Sequence, residues 1–574
     1  MSKLLVPCCV LSVLLAGLAG CVAKKPAPTP VEAALDESKF PAHVSGTIAQ
    51  YAMMVGGGEL ALRCHGIVVG LGRNGSRECP PALRGYLTQY MLKQRVFPAG
   101  GNPNSLRPSD LLDDLDTAVV EVWGRVPPGA PAGTMFDVHV KALPQTQTIS
   151  LDGGYLLPAE MRLSVEGMSG AQRESQVLAT AGGPVFVNSF VDPADSAQSP
   201  KLREGRILGG GRLLDDRAVR LQLHVPDYAR CDAIRRRINE VFPASRPAAV
   251  AKNPSTIDLT IPRKYRPDYG RFLALVMHLP VQGGGGAWEA KARQIVQDMQ
   301  VPGAPHDELA LIWEAIGRTI LPTLKPLYDS QDLNLSYYSA RTGLRLGDPQ
   351  AIGTVSAVAR NAEAGPLQLQ AVQELGRCKL HTCLQTLYEL LDDPNDMVRV
   401  AAVDALVEHG DSSRVTHLKV GEAFVVDLAD SSSRYMIYAS QSGRPRLMVF
   451  GRQLQCLRPM FFQSPGEMVV INAADDQCPL SVFRKVPPDG LPSSTFKVDP
   501  QVSSLVRTMG TPVEYVGRNK VRGMGLTYGQ VVTVLANLCQ KGHIQAKFVL
   551  QPPGEMQRIY MDDTTVGRPD APEM

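Results

Sequence analysis

Residues 65–75 read HGIVVGLGRNG, an apolar run of Ile67, Val68 and Val69 inside a glycine-rich segment. A short apolar run bounded by turn residues predicts a β-strand. Similar runs, separated by Gly and Pro, continue over residues 48–281. Gly (52) and Pro (45) make up about 17% of the 574 residues, against a background of roughly 12%. We therefore expect residues 48–281 to form a sheet-rich region with few helices.

The length and charge of the chain indicate a folded protein of several domains that does not bind nucleic acid. At roughly 150 residues per domain, the chain is long enough for three or four domains. Its 44% hydrophobic and 20% charged residues are typical of a folded chain. The 59 Lys and Arg nearly balance the 56 Asp and Glu, leaving a net charge of +3. This balance gives no global attraction to nucleic acid, and we expect no nucleic-acid partner.

The N-terminus reads as a targeting segment. Lys3 precedes an apolar stretch at residues 4–18 that is too short to span a membrane. Leu18-Ala19-Gly20-Cys21 then resembles the lipobox of bacterial lipoproteins, in which the Cys21 thiol takes a diacylglycerol. The alternative is an ordinary secretory peptide that contains a cysteine. We expect a signal peptide at 1–20, a lipid anchor on Cys21 and a Pro-rich tether at 21–47.

The middle of the chain changes to helical periodicity at about residue 287 and keeps it to residue 415. Residues 323–348 align without gaps on residues 386–411, and residues 355–375 fit as an intervening copy. Each unit is predicted to contain a helix, an Asp/Pro turn and a second helix that ends at a Gly-Asp pair, here called a Gly-Asp stop. Residues 396–406 resemble the second helix of a HEAT-like repeat. Such repeats bury their apolar faces by stacking, and offer a contact surface without chemistry of its own. The strand pattern returns over residues 418–551, before a loose tail at 552–574.

Residues 70–75 also match the pattern G-x-G-x-x-G, which in a dinucleotide site lets a phosphate reach a helix N-terminus. Here Cys79-Pro80-Pro81 interrupts the helix start. No acidic residue stands near position 90 to hold a ribose, and Asp110 is the first one after that position. We favour a simple strand and glycine-rich turn.

Nothing else in the sequence indicates catalysis or a cofactor. The ten histidines are scattered, and the carboxylate pairs Asp113-Asp114 and Asp475-Asp476 fit solvated turns. We expect no catalytic residue, no cofactor and no metal site. Four arginines lie on a predicted helix at residues 229–241, and we interpret them as a solvated face. The alternative is a basic helix facing an acidic neighbour or an anionic polymer such as the cell wall. Those four are Arg230, Arg235, Arg236 and Arg237.

Eight cysteines remain after Cys8, Cys9 and Cys21 are set aside. An exported chain meets an oxidising compartment, so we expect some of them to pair. Connectivity cannot be derived from sequence. The local candidates for a disulfide are Cys64 with Cys79, and Cys378 with Cys383. A zinc site at the latter pair, with His381 between them, lacks a second ligand pair.

Several motifs together resemble the flagellar basal-body P-ring protein family. Each motif is weak, but they keep the family's order. In chain order they are residues 65–75 (HGIVVGLGRNG), 118–122 (AVVEV), 126–128 (VPP), 136–143 (FDVHVKAL), 150–159 (SLDGGYLLPA), 205–207 (GRI), 219–228 (VRLQLHVPDY) with the helix that follows, 257–262 (IDLTIP), 271–275 (RFLAL), 525–535 (GLTYGQVVTVL) and 544–550 (IQAKFVL).

The resemblance implies an α+β fold: a sheet-rich P-ring-like core, at 48–281 and 418–551, split by an all-α HEAT-like solenoid insertion at 287–415. We expect the two parts to fold as one body, with the helical stack bulging out of it. The resemblance also implies a non-catalytic subunit of a periplasmic homo-oligomeric ring around the flagellar rod, with rod proteins, L-ring proteins and peptidoglycan as further partners.

Two features depart from the family pattern. The lipobox at Cys21 implies an anchor in a membrane, with the outer membrane preferred, whereas family members normally carry no lipid. The helical repeats are an insertion. The alternative function is therefore a non-flagellar, lipid-anchored envelope scaffold that docks proteins on its repeats.

Overall fold

The computed structural model describes residues 40–94, 108–163, 176–187, 199–432, 434–464, 468–486, 491–516 and 520–552. The predicted signal peptide, Cys21, most of the tether and nearly all of the tail lie outside the described residues. Within the described ranges, no helix has the length and apolar character needed to cross a bilayer.

The chain enters the described structure through α1 (Ile48–Tyr51) and β1 (Ala52–Val55), and then forms a closed six-stranded antiparallel barrel in the order β2-β3-β4-β7-β6-β5. The barrel strands are β2 (Leu60–Val69), β3 (Ala118–Val126), β4 (Met135–Ala142), β5 (Tyr155–Leu163), β6 (Val177–Pro184) and β7 (Glu204–Leu213). Alternate residues of β4, from Phe136 to Ala142, face the interior as the period of a strand requires. The Phe136 ring lies where Gly124 and Gly211 leave room for it.

In the described part of this region, three short helices accompany the barrel: α2 (Pro81–Gln94), α3 (Pro108–Leu112) and α4 (Ser199–Leu202). Leu87 and Met91 of α2 pack with Ile67 and Val119 on the outside of the barrel. Because α2 covers the outer face of β2 here and the barrel core covers the inner face, consecutive residues of this strand are apolar.

A second sheet follows the barrel in the order β1-β8-β10-β9, with every pair antiparallel. Its other strands are β8 (Val219–Leu223), β9 (Ala249–Asn253) and β10 (Thr256–Leu259). One face packs against α5 (Tyr228–Val241) and α6 (Tyr269–His278). Asp227 begins α5 by accepting hydrogen bonds from the amides of Ala229 and Arg230.

The helical block has eight α-helices in the described residues, joined in places by short 3-10 turns. Both Gly-Asp stops are confirmed as helix ends, because Gly347 and Gly410 adopt positive φ values of 83°. Residues 283–286 are four consecutive glycines. The block begins earlier than expected, since Gly285 and Gly286 already belong to α7. The helices are α7 (Gly285–Met299), α8 (His306–Ile316), α9 (Leu321–Leu324), α10 (Leu333–Arg345), α11 (Ala351–Arg360), α12 (Pro366–Arg377), α13 (His381–Glu389) and α14 (Asp396–His409).

The last region contains a five-stranded sheet in the order β11-β12-β14-β13-β22. A separate sheet has the order β15-β16-β17-β18, and β19 also pairs with its β17. A short β20-β21 hairpin completes the region. The elements are β11 (Val415–Val420), β12 (Phe424–Ala429), β13 (Met436–Ala439), β14 (Arg446–Phe450), β15 (Met460–Gln463), β16 (Val469–Ala473), β17 (Leu480–Val486), β18 (Leu491–Pro492), β19 (Phe496–Val498), α15 (Val502–Gly510), β20 (Glu514–Val516), β21 (Lys520–Arg522), α16 (Tyr528–Gln540) and β22 (Lys547–Leu550).

The five-stranded sheet is buried on both faces. On β14, Met448 and Phe450 face the core of the helical block, whereas Leu447 and Val449 face α15 and α16. The expectation that the helical stack simply bulges out is therefore wrong. Because four consecutive residues of β14 are apolar, both faces of the sheet must be buried, and the helical block buries one of them.

Helix α8 connects the helical block to the second sheet. Its Leu311 and Ala315 pack in the core beneath that sheet, while Trp313 and Ile316 lie in the core of the helical block. Arg271 of α6 also forms an ion pair with Glu314 of α8. The second sheet, the helical block and the five-stranded sheet therefore pack continuously against one another.

Candidate assembly surface

The glycine-rich turn after β2 is held by a carboxylate. Asp116 accepts hydrogen bonds from the amides of Gly70 (3.1 Å) and Gly72 (2.6 Å). These amides are the groups that a phosphate would need, and they are already satisfied. The geometry matches the strand and turn that the sequence favours over a dinucleotide site.

We expect Gly75→Ala to destabilise the barrel by about 1–3 kcal/mol. A Cβ at Gly75 would lie 2.1 Å from the carbonyl oxygen of Thr117 and 2.5 Å from that of Leu115, and both are backbone atoms. Gly85→Ala in α2 is the matched control, because its Cβ would meet nothing within 4 Å. Hydrogen exchange of the β2 and β3 amides measures the difference. Equal protection in the two variants would contradict the prediction.

One member of each carboxylate pair makes a structural contact. Asp113 forms a 2.8 Å ion pair with Arg84, and Asp475 accepts hydrogen bonds from the amides of Gln477 and Cys478. No cluster of three or more His, Cys, Asp or Glu side chains suited to a metal ion occurs among the described residues.

The interpretation of all four α5 arginines as a solvated face is wrong for Arg237. Its side chain is 9% exposed, lies 4.4 Å from the ring centroid of Trp288 and pairs with Glu240. The start of the helical block therefore covers it, which the helix sequence alone could not reveal. The remaining three arginines are also engaged: Arg230 lies over the Tyr51 ring, and Arg235 and Arg236 pair with Asp232.

The outward face of the second sheet carries exposed apolar side chains. Met53 and Val55 on β1 are 52% and 46% exposed, and Val250 on β9 is 40% exposed. In the strand register, Val55 lies beside Arg220, Arg220 beside Asp258, and Asp258 beside Val250. We call this row, with Met53, the open sheet face.

A charge pair crosses the middle of the open sheet face. The Arg220 guanidinium donates a 2.9 Å hydrogen bond to Asp258, and Lys252 lies 3.6 Å from the same carboxylate. In the described residues, β1 and β9 form the two edges of the sheet. Unpaired strand edges beside exposed apolar side chains are typical of surfaces that bind another chain. None of these residues was singled out from the sequence; the apolar Met53, Met54 and Val55 on both faces of β1 were the available signal.

The barrel and the last region meet directly. Phe186, which follows β6, packs on Tyr528 of α16, with ring centroids 5.9 Å apart. Asp137 of β4 accepts hydrogen bonds from the amides of Gly209 (2.7 Å) and Gly443 (2.9 Å). Arg206 of β7 donates to the carbonyl of Gln441 at 3.1 Å. A cleft of about 440 Å³ remains beside this junction, between the two regions.

All eight described cysteines are free thiols in the structure. Burial raises the pKa of Cys64 on β2 to about 12, and the Cys79 thiol donates to the carbonyl of Pro80. A disulfide between Cys64 and Cys79 therefore stays a prediction.

Comparison with known proteins gives two matched regions. Residues 47–298 match the family model of the flagellar P-ring protein, and this confirms the resemblance over that range. Residues 354–420 match the model of HEAT repeats, which agrees with the predicted insertion. The first match includes the barrel, the second sheet and nearly all of α7.

The curated relatives are named flagellar P-ring proteins. That of Geobacter sulfurreducens is 30% identical over 234 residues, which are 38% of this chain and 56% of the relative. That of Geobacter metallireducens is 31% identical over 177 residues, 29% of this chain and 45% of the relative. That of Thermotoga maritima is 29% identical over 252 residues, 42% of this chain and 69% of the relative. The chain thus spans about half the length of the first two relatives.

Proposed function

Since residues 47–298 match the flagellar P-ring protein family, we propose that this chain is a structural subunit of a ring in the flagellar basal body. The proposed subunit is non-catalytic and acts by binding copies of itself in the periplasm. The match across both the barrel and the second sheet is the observation that supports this function most strongly.

The proposed subunit body includes residues 418–551 as its C-terminal part. The family match ends at residue 298, so the support comes from packing: Phe186 and Leu208 share one apolar core with Tyr528 and Phe424. The backbone contacts of Asp137 and Arg206 with residues 441–443 join the same two regions.

The open sheet face is the proposed contact with a second copy. A closed ring needs a heterologous interface, in which one surface of each subunit binds a different surface of the next. Met53, Val55 and Val250 supply apolar area around the Arg220–Asp258 pair, which would set the register of the contact.

We expect the double variant Met53→Glu, Val55→Glu to fold and to self-associate at least about tenfold more weakly, because an unpaired carboxylate is costly to bury in an interface. Val301→Glu, at an exposed valine in the turn between α7 and α8, is the matched control. Sedimentation velocity and negative-stain imaging of the purified protein measure ring formation. Rings of equal yield from the double variant would exclude this face.

The proposed anchor is a lipid on Cys21, holding the ring subunit to a membrane, with the outer membrane preferred. We expect Cys21→Ser to release full-length protein into the soluble periplasmic fraction, because acyl chains supply the membrane affinity. Cys231→Ser is the control, since Cys231 lies on α5. Retention of the Cys21→Ser protein in the membrane fraction would contradict a lipid anchor.

Imaging of purified basal bodies tests the function itself. We expect this chain in the ring around the rod, in contact with rod proteins, L-ring proteins and peptidoglycan. Its absence from that ring would overturn the proposal. Normal motility after deletion, together with an envelope defect, would instead favour a scaffold that docks proteins on the helical repeats.

A further inference from the structure

The cleft of about 440 Å³ between the barrel and the last region has an apolar wall. The buried rings of Phe186, Phe424 and Tyr528 form part of this wall. Met135, which also lines the cleft, is 63% exposed. The volume lies within the range of about 300–1,000 Å³ that is typical of ligand pockets, and exposed apolar surface is typical of binding sites. The cleft is therefore a candidate site for an occupant with apolar groups.

The charged and polar groups of the cleft restrict the kind of occupant. Lys419 and Arg444 line it, and both residues are exposed and form no ion pair within the described ranges. The carboxylate of Glu422 lines the cleft as well, so positive charge exceeds negative charge by one. At the start of α16, Thr527 and Gln530 bond each other's backbone amides in a capping box, so these amides are not left for a small anion. The cleft favours a peptide whose apolar side chains stand next to carboxylates.

The last described residues of the chain lie beside this cleft. Gln551 follows β22, and its side-chain carbonyl accepts hydrogen bonds from the amides of Gln441 (2.9 Å) and Ser442 (3.3 Å). The same loop continues into Arg444, which lines the cleft. Residues 553–574 of the tail therefore start within a few residues of the cleft wall.

The tail has the composition that the cleft favours. Residues 553–574 contain five Asp or Glu against two Arg, so their net charge is −3. Residues 559–561 (IYM) form an apolar run, and residues 562–563 are both Asp. At about 3.3 Å per residue, the segment between Pro552 and this run can span about 20 Å. So short a connection keeps the effective concentration of the run on the order of millimolar.

We propose that residues 559–563 of the tail bind in this cleft of the same chain. The apolar run packs against the ring-lined wall, and the carboxylates of Asp562 and Asp563 lie near Lys419 and Arg444. Bound in this way, the tail is a strap between the last region and the barrel instead of the loose segment expected from its composition. This binding needs no second subunit, so it holds whether or not the chain forms a ring.

Photo-cross-linking of the full chain tests where the tail binds. The photoreactive residue p-benzoylphenylalanine replaces Tyr560, the purified protein is irradiated and digested, and linked peptides are identified by mass spectrometry. We expect links to residues of the cleft such as Met135 or Phe424. The same group in place of Ala571, well beyond the apolar run, is the matched control and should give at least about tenfold fewer links to the cleft. Equal yields from the two positions, or links spread over other surfaces, would overturn binding of the tail in the cleft.

The two cations of the cleft allow a second measurement. The double variant Lys419→Glu, Arg444→Glu should lower the yield of links from position 560 at least about fivefold, because two attractive contacts become repulsive. Lys93→Glu, Lys379→Glu is the matched control, since both lysines are exposed and neither lines the cleft. The same yield from both double variants would overturn the contact of the tail with the two cations.

Isotope mixing distinguishes the chain's own tail from that of a neighbouring subunit. Nitrogen-15-labelled and unlabelled chains that carry the photoreactive group are combined under conditions in which subunits exchange, and are then irradiated. Linked peptides that always share one isotope support binding within the same chain. Pairs of mixed isotope would overturn binding within the same chain and assign the cleft to a neighbour's tail.

Discussion

Arg399→Met is expected to lower the free energy of unfolding by about 3 kcal/mol, because it leaves buried acceptors without a donor. The Arg399 side chain on α14 is 1% exposed. Its guanidinium donates to the carbonyls of Leu391 (3.0 Å) and Arg434 (2.7 Å), and to the hydroxyl of Ser431 (3.0 Å). It also lies over the ring of Phe450, at 4.4 Å from the centroid. Methionine fills the volume and restores none of these hydrogen bonds.

The control for this prediction is Arg414→Met, which removes an exposed 3.1 Å pair with Asp430 and should cost under about 1 kcal/mol. Because a chain of this size need not unfold in one step, hydrogen exchange of the α14 and β14 amides reports the local change better than a global transition. Similar exchange rates in the two variants would show that Arg399 does not hold the helical block to the sheet.

Glu374→Gln is expected to destabilise the helical block by about 3 kcal/mol at pH 7. Glu374 is buried beside Arg345, whose guanidinium also donates to Glu314 at 3.1 Å. Burial by itself raises the pKa of the Glu374 carboxyl, but the charge and hydrogen bonds of Arg345 outweigh burial and lower it to about 2. Glutamine keeps the shape and removes the negative charge that compensates Arg345.

The same pair sets a pH dependence. The pKa of Glu374 falls from its ordinary 4.5 to about 2 on folding, so the stabilisation is fully present above about pH 4.5. It is lost as the pH falls from 4.5 toward 2. The difference between the wild-type protein and Glu374→Gln should therefore shrink over this window. Glu389→Gln, at an exposed pair with Arg360, is the control and should change little. A difference that persists unchanged at pH 2 would show that charge is not the cause.

Much of the fold could be predicted from local pattern. The alternation from Phe136 to Ala142 is that of a strand with one face in a core, and β4 has this burial. The aligned Gly-Asp stops at Gly347 and Gly410 marked the ends of α10 and α14, because a left-handed residue after a helix favours glycine.

The long-range packing could not be predicted in this way. Closure of the barrel depends on β2 pairing with β5, and no local signal fixes which distant strands become neighbours. Burial of both faces of the five-stranded sheet does have a local signal, since residues 447–450 are apolar at every position and leave no face for water. Burial of Arg237 depended on Trp288, some fifty residues along the chain.

For the candidate assembly surface, the sequence could not select Met53, Val55 and Val250, because their exposure follows from which face α5 and α6 cover. The glycine-rich turn was interpreted correctly, although its actual partner, Asp116, was not identified.

Helix α8 has a mechanical consequence. Leu311 and Ala315 belong to one apolar core and Trp313 to the next, so neither core can separate without disrupting this helix. A load applied across these two cores is therefore borne by α8 and its packing instead of by a flexible linker. Under tension, the second sheet and the helical block should resist separation together.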